Sequence, residues 1–531
     1  MHCSTPILGI NILSFICFIC LFITSCAQSN EGEVAPLSDK AASPVEFSVT
    51  LSNVKATRAT YPSDALGNGF VGAIDNERLK TLSFGVFTQY AGNTAWSSYT
   101  AKSTTPFNFM WNQQVDWNDG LTAWTYTPVK YWPNDNNPAD DKGATGSQTH
   151  SYLDFFAYAP YTEVAAPATG FDVKDVDGNS DGKPDHDGIV KILNNSTNIE
   201  DSYIYYRTSN DVPFDADESV DLLWATKRDC YKTDAAGYGY VDGKVNLVFK
   251  HALSLFTVAV QGLFDHVDND DTSTTYPDDR DIFTKILIEM VDFSGSPIFK
   301  EGKMYIAPNP DTADVPHWEI DDADGNSDGT PDLQYDIIVK GEDVNPTLAN
   351  RYLDGTWKKY WDESDAVNRF LTETDVDENG EYDADDALAL YNQLPKGVSH
   401  TEVPLNYTNY DSEKGKYEDY WYMVLPNDEY RTANPAKKIQ VRMVYYVITY
   451  DTRLTLVKTG YPKYFSIVKN NITATFDSFS FAPNKKYKLL MQPGLTSCKF
   501  EVTMVDGWDT PITIDPEVVD WYSTPIEYNV E

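Results

Sequence analysis

Alternating apolar and polar residues predict β-strands along most of this chain. In the first clear case, apolar residues occupy every second position from Val45 to Leu51, the period of a strand with one buried face. A second, cleaner case starts at Ile439 and keeps the alternation to Val447. Helical periodicity is largely confined to one insertion, so the chain is predicted to be all-β. Further strands are predicted at 81–87, 124–133, 154–161, 189–193, 221–226, 245–261, 282–291, 337–339, 417–425, 474–481, 486–491 and 498–505.

The stretch from Trp124 to Tyr161 carries the most distinctive aromatic pattern. It runs through Tyr131-Trp132-Pro133, crosses a polar loop, and closes with Asp154-Phe-Phe-Ala-Tyr-Ala-Pro-Tyr161. Aromatic residues favour a pleated, half-buried surface, and proline fits only at the end or the edge of a strand. Two aromatic strands joined by a long loop are therefore predicted. Both phrases resemble the N-terminal domain of the fimbrillin (Mfa-like) family of Bacteroides-type bacteria.

Shorter phrases extend the fimbrillin-like resemblance over most of the chain. They include Asp221-Leu-Leu-Trp-Ala225, the Phe-x-His-Ala-Leu-Ser phrase around His251, and Tyr422-Met-Val-Leu-Pro426. The resemblance implies two transthyretin-like β-sandwich domains. The predicted organisation is a lipoprotein signal peptide at 1–25, a flexible tether at 26–44, an N-terminal sandwich at 45–262, an acidic linker at 263–281, and a C-terminal sandwich at 282–531 with an EF-hand-like insertion at 362–395.

Composition and charge narrow the range of functions. The chain has 531 residues, of which 41% are hydrophobic and 14% aromatic, so it is able to bury a large core. Its formal net charge of −39 argues against nucleic acid as a partner, because phosphates require a basic face. Much of this acidity favours solubility, but some aspartates are spaced too regularly for solubility to be the whole explanation.

The N-terminus has the features of a targeting segment. Residues 7–24 are almost continuously apolar, and Ile23-Thr-Ser-Cys26 resembles a lipobox. This predicts cleavage before Cys26, its acylation with palmitate-type chains, and a lipid-anchored location at the outer membrane, facing the cell surface. A plain signal peptide, or a membrane anchor with a chance cysteine, is the alternative. The other cysteines of the mature chain, Cys230 and Cys498, are expected to be free buried thiols, although a disulfide between them stays open.

The resemblance also gives a meaning to Thr57-Arg58-Ala59-Thr60. In pilus-forming fimbrillins an arginine in this region is where a protease removes the first strand. By that analogy, cutting between Arg58 and Ala59 would remove the strand at 45–51 and open a groove for a strand of another pilin subunit. The alternating residues at 521–531 are a candidate donor strand, with a plain closing strand as the alternative. Arg58 could equally be an ordinary exposed loop residue.

Two acidic loops repeat one another almost letter for letter. Counted from Asp177 in the first loop and from Asp324 in the second, oxygen-bearing side chains fall at positions one, three, five and nine, and glycine falls at position six. This is the order in which a calcium loop surrounds its cation. Predicted strands follow both loops, which therefore resemble thrombospondin type 3 loops inserted into hairpins. The candidate ligands are Asp175, Asp177, Asn179, Asp181, Asp185 and Asp187 in the first loop, and Asp322, Asp324, Asn326, Asp328, Asp332 and Asp336 in the second.

A third acidic loop has predicted helices on both sides. Apolar residues at helical spacing lie in 364–373 before it and from Ala387 to Leu394 after it, as in an EF-hand or a dockerin repeat. Oxygens stand at positions one, three, five, nine and twelve, with Gly380 at six. A dockerin normally has two such segments, so cohesin binding is not predicted. The candidate ligands are Asp375, Asp377, Asn379, Glu381, Asp383 and Asp386.

Calcium in these loops is expected to be structural. Bound Ca²⁺ would neutralise clustered carboxylates and stiffen the insertions, with dissociation constants on the order of 10⁻⁴ to 10⁻³ M, as in extracellular modules. A solvated loop without metal is the alternative for each of the three.

No catalytic site is predicted. Gly-x-Ser-x-Gly occurs at Ser180 and Ser327 inside the repeated loops, but that motif requires a strand-to-helix turn in an α/β sheet. His251 stands alone in an apolar strand and is predicted to be a core residue. Two roles remain, a fimbrillin-like pilus subunit acting as stalk, anchor or tip, and a surface glycan-binding lipoprotein that uses exposed aromatic rings. An enzyme ranks third, because any acidic chain contains many pairs of carboxylates.

Overall fold

Strands dominate the computed structural model of the chain, as the alternating pattern predicts, and the all-β prediction is confirmed. Within the described residues the strands form five sheets, and no helix there has both the length and the hydrophobicity needed to cross a membrane. The structure describes residues 43–51, 73–133, 151–163, 171–172, 188–193, 195, 197–208, 219–232, 240–241, 243–263, 281–307, 315–320, 338–340, 375–394, 397–398, 402–405, 410–411, 416–417, 421–455, 463–495, 497–506 and 508.

The strands of the first half are β1 (Phe47–Leu51), β2 (Phe84–Gly92), β3 (Met110–Asn118), β4 (Ala123–Thr125), β5 (Tyr152–Ala159), β6 (Phe171–Asp172), β7 (Gly188–Leu193), β8 (Tyr203–Arg207), β9 (Leu223–Cys230), β10 (Tyr240–Val241), β11 (Lys244–His251) and β12 (Ser254–Val260). Those of the second half are β13 (Ile282–Asp292), β14 (Glu301–Tyr305), β15 (His317–Glu319), β16 (Ile338–Lys340), β17 (Val403–Pro404), β18 (Tyr410–Asp411), β19 (Lys416–Tyr417), β20 (Tyr422–Val424), β21 (Ile439–Asp451), β22 (Phe465–Phe476), β23 (Lys485–Pro493) and β24 (Cys498–Asp506). The α-helices are α1 (Asn76–Leu82), α2 (Ala384–Gln393) and α3 (Asp428–Ala433), and 3₁₀ turns occupy Trp96–Ser98, Thr100–Ser103 and Ile199–Asp201.

Sheet A is eight-stranded, in the order β1-β11-β9-β5-β2-β3-β4, with β10 also paired to β11. Its two ends meet, because the Val45 amide donates to the Lys130 carbonyl oxygen at 2.9 Å and Pro44 forms a bridge with Tyr131. The sheet therefore curls around an apolar interior. Alternate residues of one strand serve two cores: Phe84 and Val86 of β2 face this interior, and Phe87 faces the next sheet.

Sheet B packs on the outside of sheet A, in the order β15-β14-β8-β7-β6. The core between them contains Phe156 and Tyr158 of β5, Ile204 and Tyr206 of β8, and Trp318 of β15. Every second residue of β8, β14 and β15 enters this core, which leaves the intervening side chains on the outer face of sheet B.

Two further sheets form the C-terminal sandwich. Sheet C has the order β17-β12-β23-β24, with β20 also paired to β12, and sheet D has the order β16-β13-β21-β22. Their facing residues, among them Phe256 of β12, Tyr445 of β21 and Leu489 of β23, form one buried cluster. This is the aligned two-sheet packing expected of a β-sandwich.

Four strand pairings cross the predicted boundary between the domains, and β12 makes three of them, with β17, β20 and β23. β12 lies before the predicted linker, yet it pairs in parallel with β23 of the C-terminal sandwich. Conversely, β14 lies after the linker and pairs with β8, on the N-terminal side. Residues 264–280 lie outside the described residues, so the linker itself stays a prediction. Sheet C contains β12 from the N-terminal side of it, and sheet B contains β14 and β15 from the C-terminal side.

Several predicted elements differ from the structure in extent. The first aromatic strand of the 124–161 stretch is only β4, because the chain turns at Tyr126, whose hydroxyl donates to the Lys130 carbonyl oxygen at 3.2 Å. β5 ends at Ala159, just before Pro160, as predicted. Of the strand predicted at 474–481, only residues 474–476 are in a strand, as the end of the longer β22, and 477–481 have no regular structure. The second acidic loop was predicted to sit in a hairpin, but β15 before it belongs to sheet B and β16 after it to sheet D.

Buried polar residues bear out the core assignments. His251 is 2% exposed, and its Nδ1 lies 2.7 Å from Oδ2 of Asp221. Its ring stacks on Trp508 with centroids 3.8 Å apart. Cys230 and Cys498 are both free and buried, in different clusters, and burial raises the pKa of each thiol. The predictions of a core histidine and of two free thiols are therefore confirmed.

Candidate functional site

The first strand is held mainly by its aromatic residue. The Phe47 ring, 2% exposed, lies among Phe84, Tyr126 and Phe155, with centroid separations of 6.1, 5.7 and 5.8 Å. Val45 and Leu51 are buried in the same cluster. Edge-to-face aromatic contacts of this kind add to the free energy of burial. Without Phe47, its three ring neighbours would line an open apolar groove.

The backbone of β1 pairs with one strand, and Val45, just before β1, forms hydrogen bonds on the opposite side. It runs parallel to β11, with Phe47 opposite Val245 and Leu51 opposite Phe249. On the other side, the Tyr126 hydroxyl donates to the Val45 carbonyl oxygen at 2.7 Å. β1 therefore lies between β11 and the segment after β4, and all of its described partners are distant in the sequence. Residues 52–72, which follow β1 and include Arg58 and Ala59, lie outside the described residues, so cleavage there stays a prediction.

The third acidic loop is the candidate metal centre. Glu378 and Gly380 have φ values of 60° and 102°, so the chain turns back sharply at position six, where glycine carries no steric penalty. The turn brings the backbone amides of Asn379 and Gly380 to the Asp375 carboxylate, at 3.1 and 2.6 Å. The sequence therefore encodes a loop that winds around its own first aspartate.

Asp386, at position twelve, ties the end of this loop to its start. Its Oδ1 accepts from the amides of Val376 and Asp377 at 2.6 and 3.2 Å. Its Oδ2 accepts from the Asp383 amide at 3.0 Å, while the Asp383 carboxylate caps α2 in return, which completes a capping box. The bonds from the Asp383, Val376 and Asp377 amides hold the pKa of Asp386 below its usual value, so its carboxylate is charged at neutral pH.

Three carboxylates converge in the loop. One oxygen each from Asp375, Asp377 and Asp386 lies within 4.8 Å of the others. Three negative charges and an all-oxygen donor set suit a hard cation such as Ca²⁺, and the carboxylate of Asp386 retains lone pairs beyond those used by the amides. The residues present therefore fit the predicted ion. Of the other predicted ligands, Asp383 serves as the helix cap, and the Asn379 side chain accepts from the Glu381 amide at 3.0 Å.

The helix after the loop is fixed to sheet D. Its apolar residues, predicted from their spacing, pack with Leu287 and Tyr446 on the outer face of that sheet. The Tyr450 hydroxyl donates to the Ala384 carbonyl oxygen at 2.9 Å, at the start of the helix. Lys285 Nζ donates to the Tyr391 and Leu394 carbonyl oxygens at its end. Neither anchor could be predicted from the sequence. Tyr450 is 66 residues from its partner in the helix and Lys285 is 109 residues from its partner at the helix end, and no local pattern links residues so far apart.

Most other predicted site residues cannot be placed. The helix predicted at 364–373 lies outside the described residues, and so does Cys26. All twelve candidate ligands of the first two acidic loops do as well: Asp175, Asp177, Asn179, Asp181, Asp185, Asp187, Asp322, Asp324, Asn326, Asp328, Asp332 and Asp336. Their roles stay predictions. The strands that follow these loops, β7 and β16, are present where the sequence predicts them.

Comparison with known proteins gives similarities to solved structures alone. No family model matches the chain, and no curated protein matches it. A fimbrial protein from Bacteroides vulgatus aligns with 87% of this chain and 99% of its own, at 14% identity and a TM-score of 0.42. A Bacteroides uniformis protein proposed to act in cell adhesion aligns with 88% of this chain and 98% of its own, at 12% identity and a TM-score of 0.31. The tip fimbrial protein Mfa3 from Porphyromonas gingivalis, C-terminally truncated, aligns with 80% of this chain and 93% of its own, at 7% identity and a TM-score of 0.24.

These neighbours are of the fimbrial kind that the sequence motifs resemble, in agreement with the prediction. At 14% identity or less, with TM-scores of 0.42 or less, they carry no argument about mechanism.

Proposed function

We propose that the chain is a non-catalytic structural and adhesive component of the bacterial surface, a fimbrillin-like pilus subunit whose uncut precursor is anchored through Cys26. The observation that carries this proposal is the position of β1. It is a short N-terminal strand that closes sheet A, with Phe47 buried among three aromatic rings. A strand with this arrangement is suited to exchange with a strand of another subunit.

Assembly would proceed in two steps. Cleavage after Arg58 separates β1 from the rest of the chain and exposes the groove lined by Phe84, Tyr126 and Phe155. A strand of a neighbouring subunit then pairs with the freed edge of β11 and places its own apolar residues in the groove. Residues 521–531 are our candidate for that strand.

Calcium has a structural part in this proposal. In the third loop Asp375, Asp377 and Asp386 would hold Ca²⁺, which would supply the positive charge that three converging carboxylates lack. Because Asp386 also caps α2, binding at the loop stabilises the helix that covers sheet D. The two repeated loops would bind the same ion in the same way.

The test combines the native N-terminus with assembly in vitro. Mass spectrometry of the protein from its native envelope is expected to give acylated Cys26 in the precursor and Ala59 in the assembled form. Purified chain treated with an arginine-specific protease is expected to form oligomers that resist dilution, whereas Arg58→Ala, treated in the same way, stays monomeric. A cut chain that stays monomeric, or an assembled form that begins at Cys26, would refute the strand-exchange step.

The distribution of aromatic residues favours the pilus role over a glycan-binding role based on tryptophan. Nine of the twelve tryptophans lie among the described residues, and none of those nine is exposed. Trp96, Trp224 and Trp318, for example, belong to the core between sheets A and B. Trp111, Trp117 and Trp421 are half-buried, so no fully exposed indole lies among the described residues.

A further inference from the structure

The outer face of sheet B presents a row of aromatic rings. Ile204 and Met304 point into the core, so their neighbours Tyr203 and Tyr305 point outward, and His317 does the same beside the buried Trp318. All three outward side chains are half-buried, and Lys303 Nζ lies over the Tyr203 ring, 5.6 Å from its centroid. The face is therefore aromatic without being a continuous apolar patch.

The register aligns these rings across neighbouring strands. Tyr203 lies opposite Tyr305 in the β8–β14 pair, and Tyr305 lies opposite His317 in the β14–β15 pair. The ring centroids are 6.2 Å apart in the first pair, with the ring planes at 68°, and 5.1 Å apart in the second, with the planes at 30°. The three rings are therefore neighbours without being coplanar. Leu193 of β7, opposite Tyr203, extends the row to a fourth strand. Four strands span roughly 14 Å, which is enough for a short oligosaccharide chain.

Charged groups beside the row neutralise one another. Lys303 pairs with Glu319 at 2.7 Å, and the Glu319 carboxylate also accepts from the Tyr305 hydroxyl at 2.5 Å. His317 forms an ion pair with Glu429 of α3. Burial and the Glu319 contact raise the pKa of Tyr305, so its hydroxyl stays protonated as a donor. The row therefore carries fixed polar groups, and Asp201 and Asp428 nearby add negative charge.

We propose that this outer face binds a neutral oligosaccharide, with Tyr203, Tyr305 and His317 stacking on sugar rings and Lys303 and Glu319 hydrogen-bonding hydroxyl groups. Aromatic faces flanked by fixed polar groups match the alternating apolar and hydroxylated surfaces of a sugar. Mutually paired charges offer nothing to an anionic ligand, which the net charge of −39 also repels. This adhesive role goes beyond assembly of the subunit.

The probes are a microarray of neutral and sialylated oligosaccharides, and affinity electrophoresis in gels that contain xyloglucan, galactomannan or α-mannan. The full chain is expected to bind at least one neutral glycan, and to bind no sialylated glycan more tightly than that neutral one. Tyr203→Ala and Tyr305→Ala should each weaken that binding about tenfold or more, as expected for the loss of a stacking ring.

Two variants separate stacking from general damage. Tyr305→Phe keeps the ring and loses only the hydroxyl, so it should retain most of the binding. Tyr90→Ala removes a tyrosine that is 38% exposed on sheet A, and it should bind as the unmodified chain does. The proposal is overturned if the chain binds no neutral glycan or prefers sialylated glycans. It is also overturned if Tyr203→Ala and Tyr305→Ala keep the normal unfolding temperature and bind as well as the unmodified chain. Protease-induced oligomers should form in all four variants, so the assembly proposal is tested independently.

Discussion

Replacing Phe47 by alanine tests whether β1 is a true part of the core. The ring is 2% exposed and contacts three other rings with centroids 5.7 to 6.1 Å away. Removing a buried phenylalanine of this kind destabilises a protein by about 3–5 kcal/mol, because apolar contacts are lost and a cavity is left. The cavity here lies between two ends of a curled sheet, so Phe84, Tyr126 and Phe155 have little freedom to fill it.

Urea unfolding of the uncut chain, followed by tryptophan fluorescence, measures this change. Ser48→Ala is the matched control on the same strand, since its hydroxyl makes a single bond to Asn246 Oδ1 at 3.2 Å and its loss should change the free energy of unfolding by about 1 kcal/mol or less. A destabilisation of Phe47→Ala no larger than that of the control would refute the reasoning. The groove would then not be apolar enough to drive the binding of a donor strand.

Three further predictions concern groups elsewhere in the chain. Burial raises the pKa of Asp154 to about 7, so folding takes up a proton between about pH 4 and pH 7 and stability falls as pH rises through that window. Asp154→Asn should therefore be more stable than the unmodified chain at pH 8 but not at pH 4, and urea unfolding that shows the same difference at both pH values would contradict this. The unfolding temperature in about 10 mM calcium should be higher than that in EDTA. This increase should be smaller in the double variant Asp375→Asn with Asp377→Asn than in the control variant Asp385→Asn. An equal shift in both would exclude the loop as a site. Lys285→Met removes the hydrogen-bond donor to the end of α2 and should speed amide hydrogen exchange in that helix. Exchange in α3 should not change and serves as the control. Protection of α2 equal to that of the unmodified chain would show that the lysine is dispensable.

Long periodic elements could be predicted from the sequence because their hydrophobic period is repeated over many residues. The alternation from Ile439 corresponds to β21, and the helical spacing from Ala387 to Leu394 corresponds to α2. The loop before α2 was also predictable, since its aspartates must occupy fixed positions around a turn that glycine permits. In each case local sequence and tertiary burial agree.

Short elements and long-range pairings were not predictable in this way. β8 and β14 alternate over only five residues each. In β8 the outward Tyr203 and Tyr205 give no polar face to mark the period, and in β14 a glycine, Gly302, stands at one of the two inward positions. α1 was missed although Asp75 caps it, because Leu79 and Leu82 alone make a weak helical pattern. The parallel pairing of β12 with β23 joins residues more than 200 positions apart, and no local pattern encodes such a partner.

The same physics explains why β1, rather than another strand, is suited to exchange. An interior strand such as β5 pairs with β2 on one side and β9 on the other, so its removal would break sheet A in two. β1 pairs with β11 alone in the sheet order, and the bonds of Val45 to Lys130 and Tyr126 close the other side. Its removal therefore leaves every other pairing of sheet A intact and exposes one strand edge and one aromatic groove. In the proposed exchange, a donor strand that restored both would recover the backbone bonds and the burial together, and would therefore stabilise a contact between subunits instead of unfolding one of them.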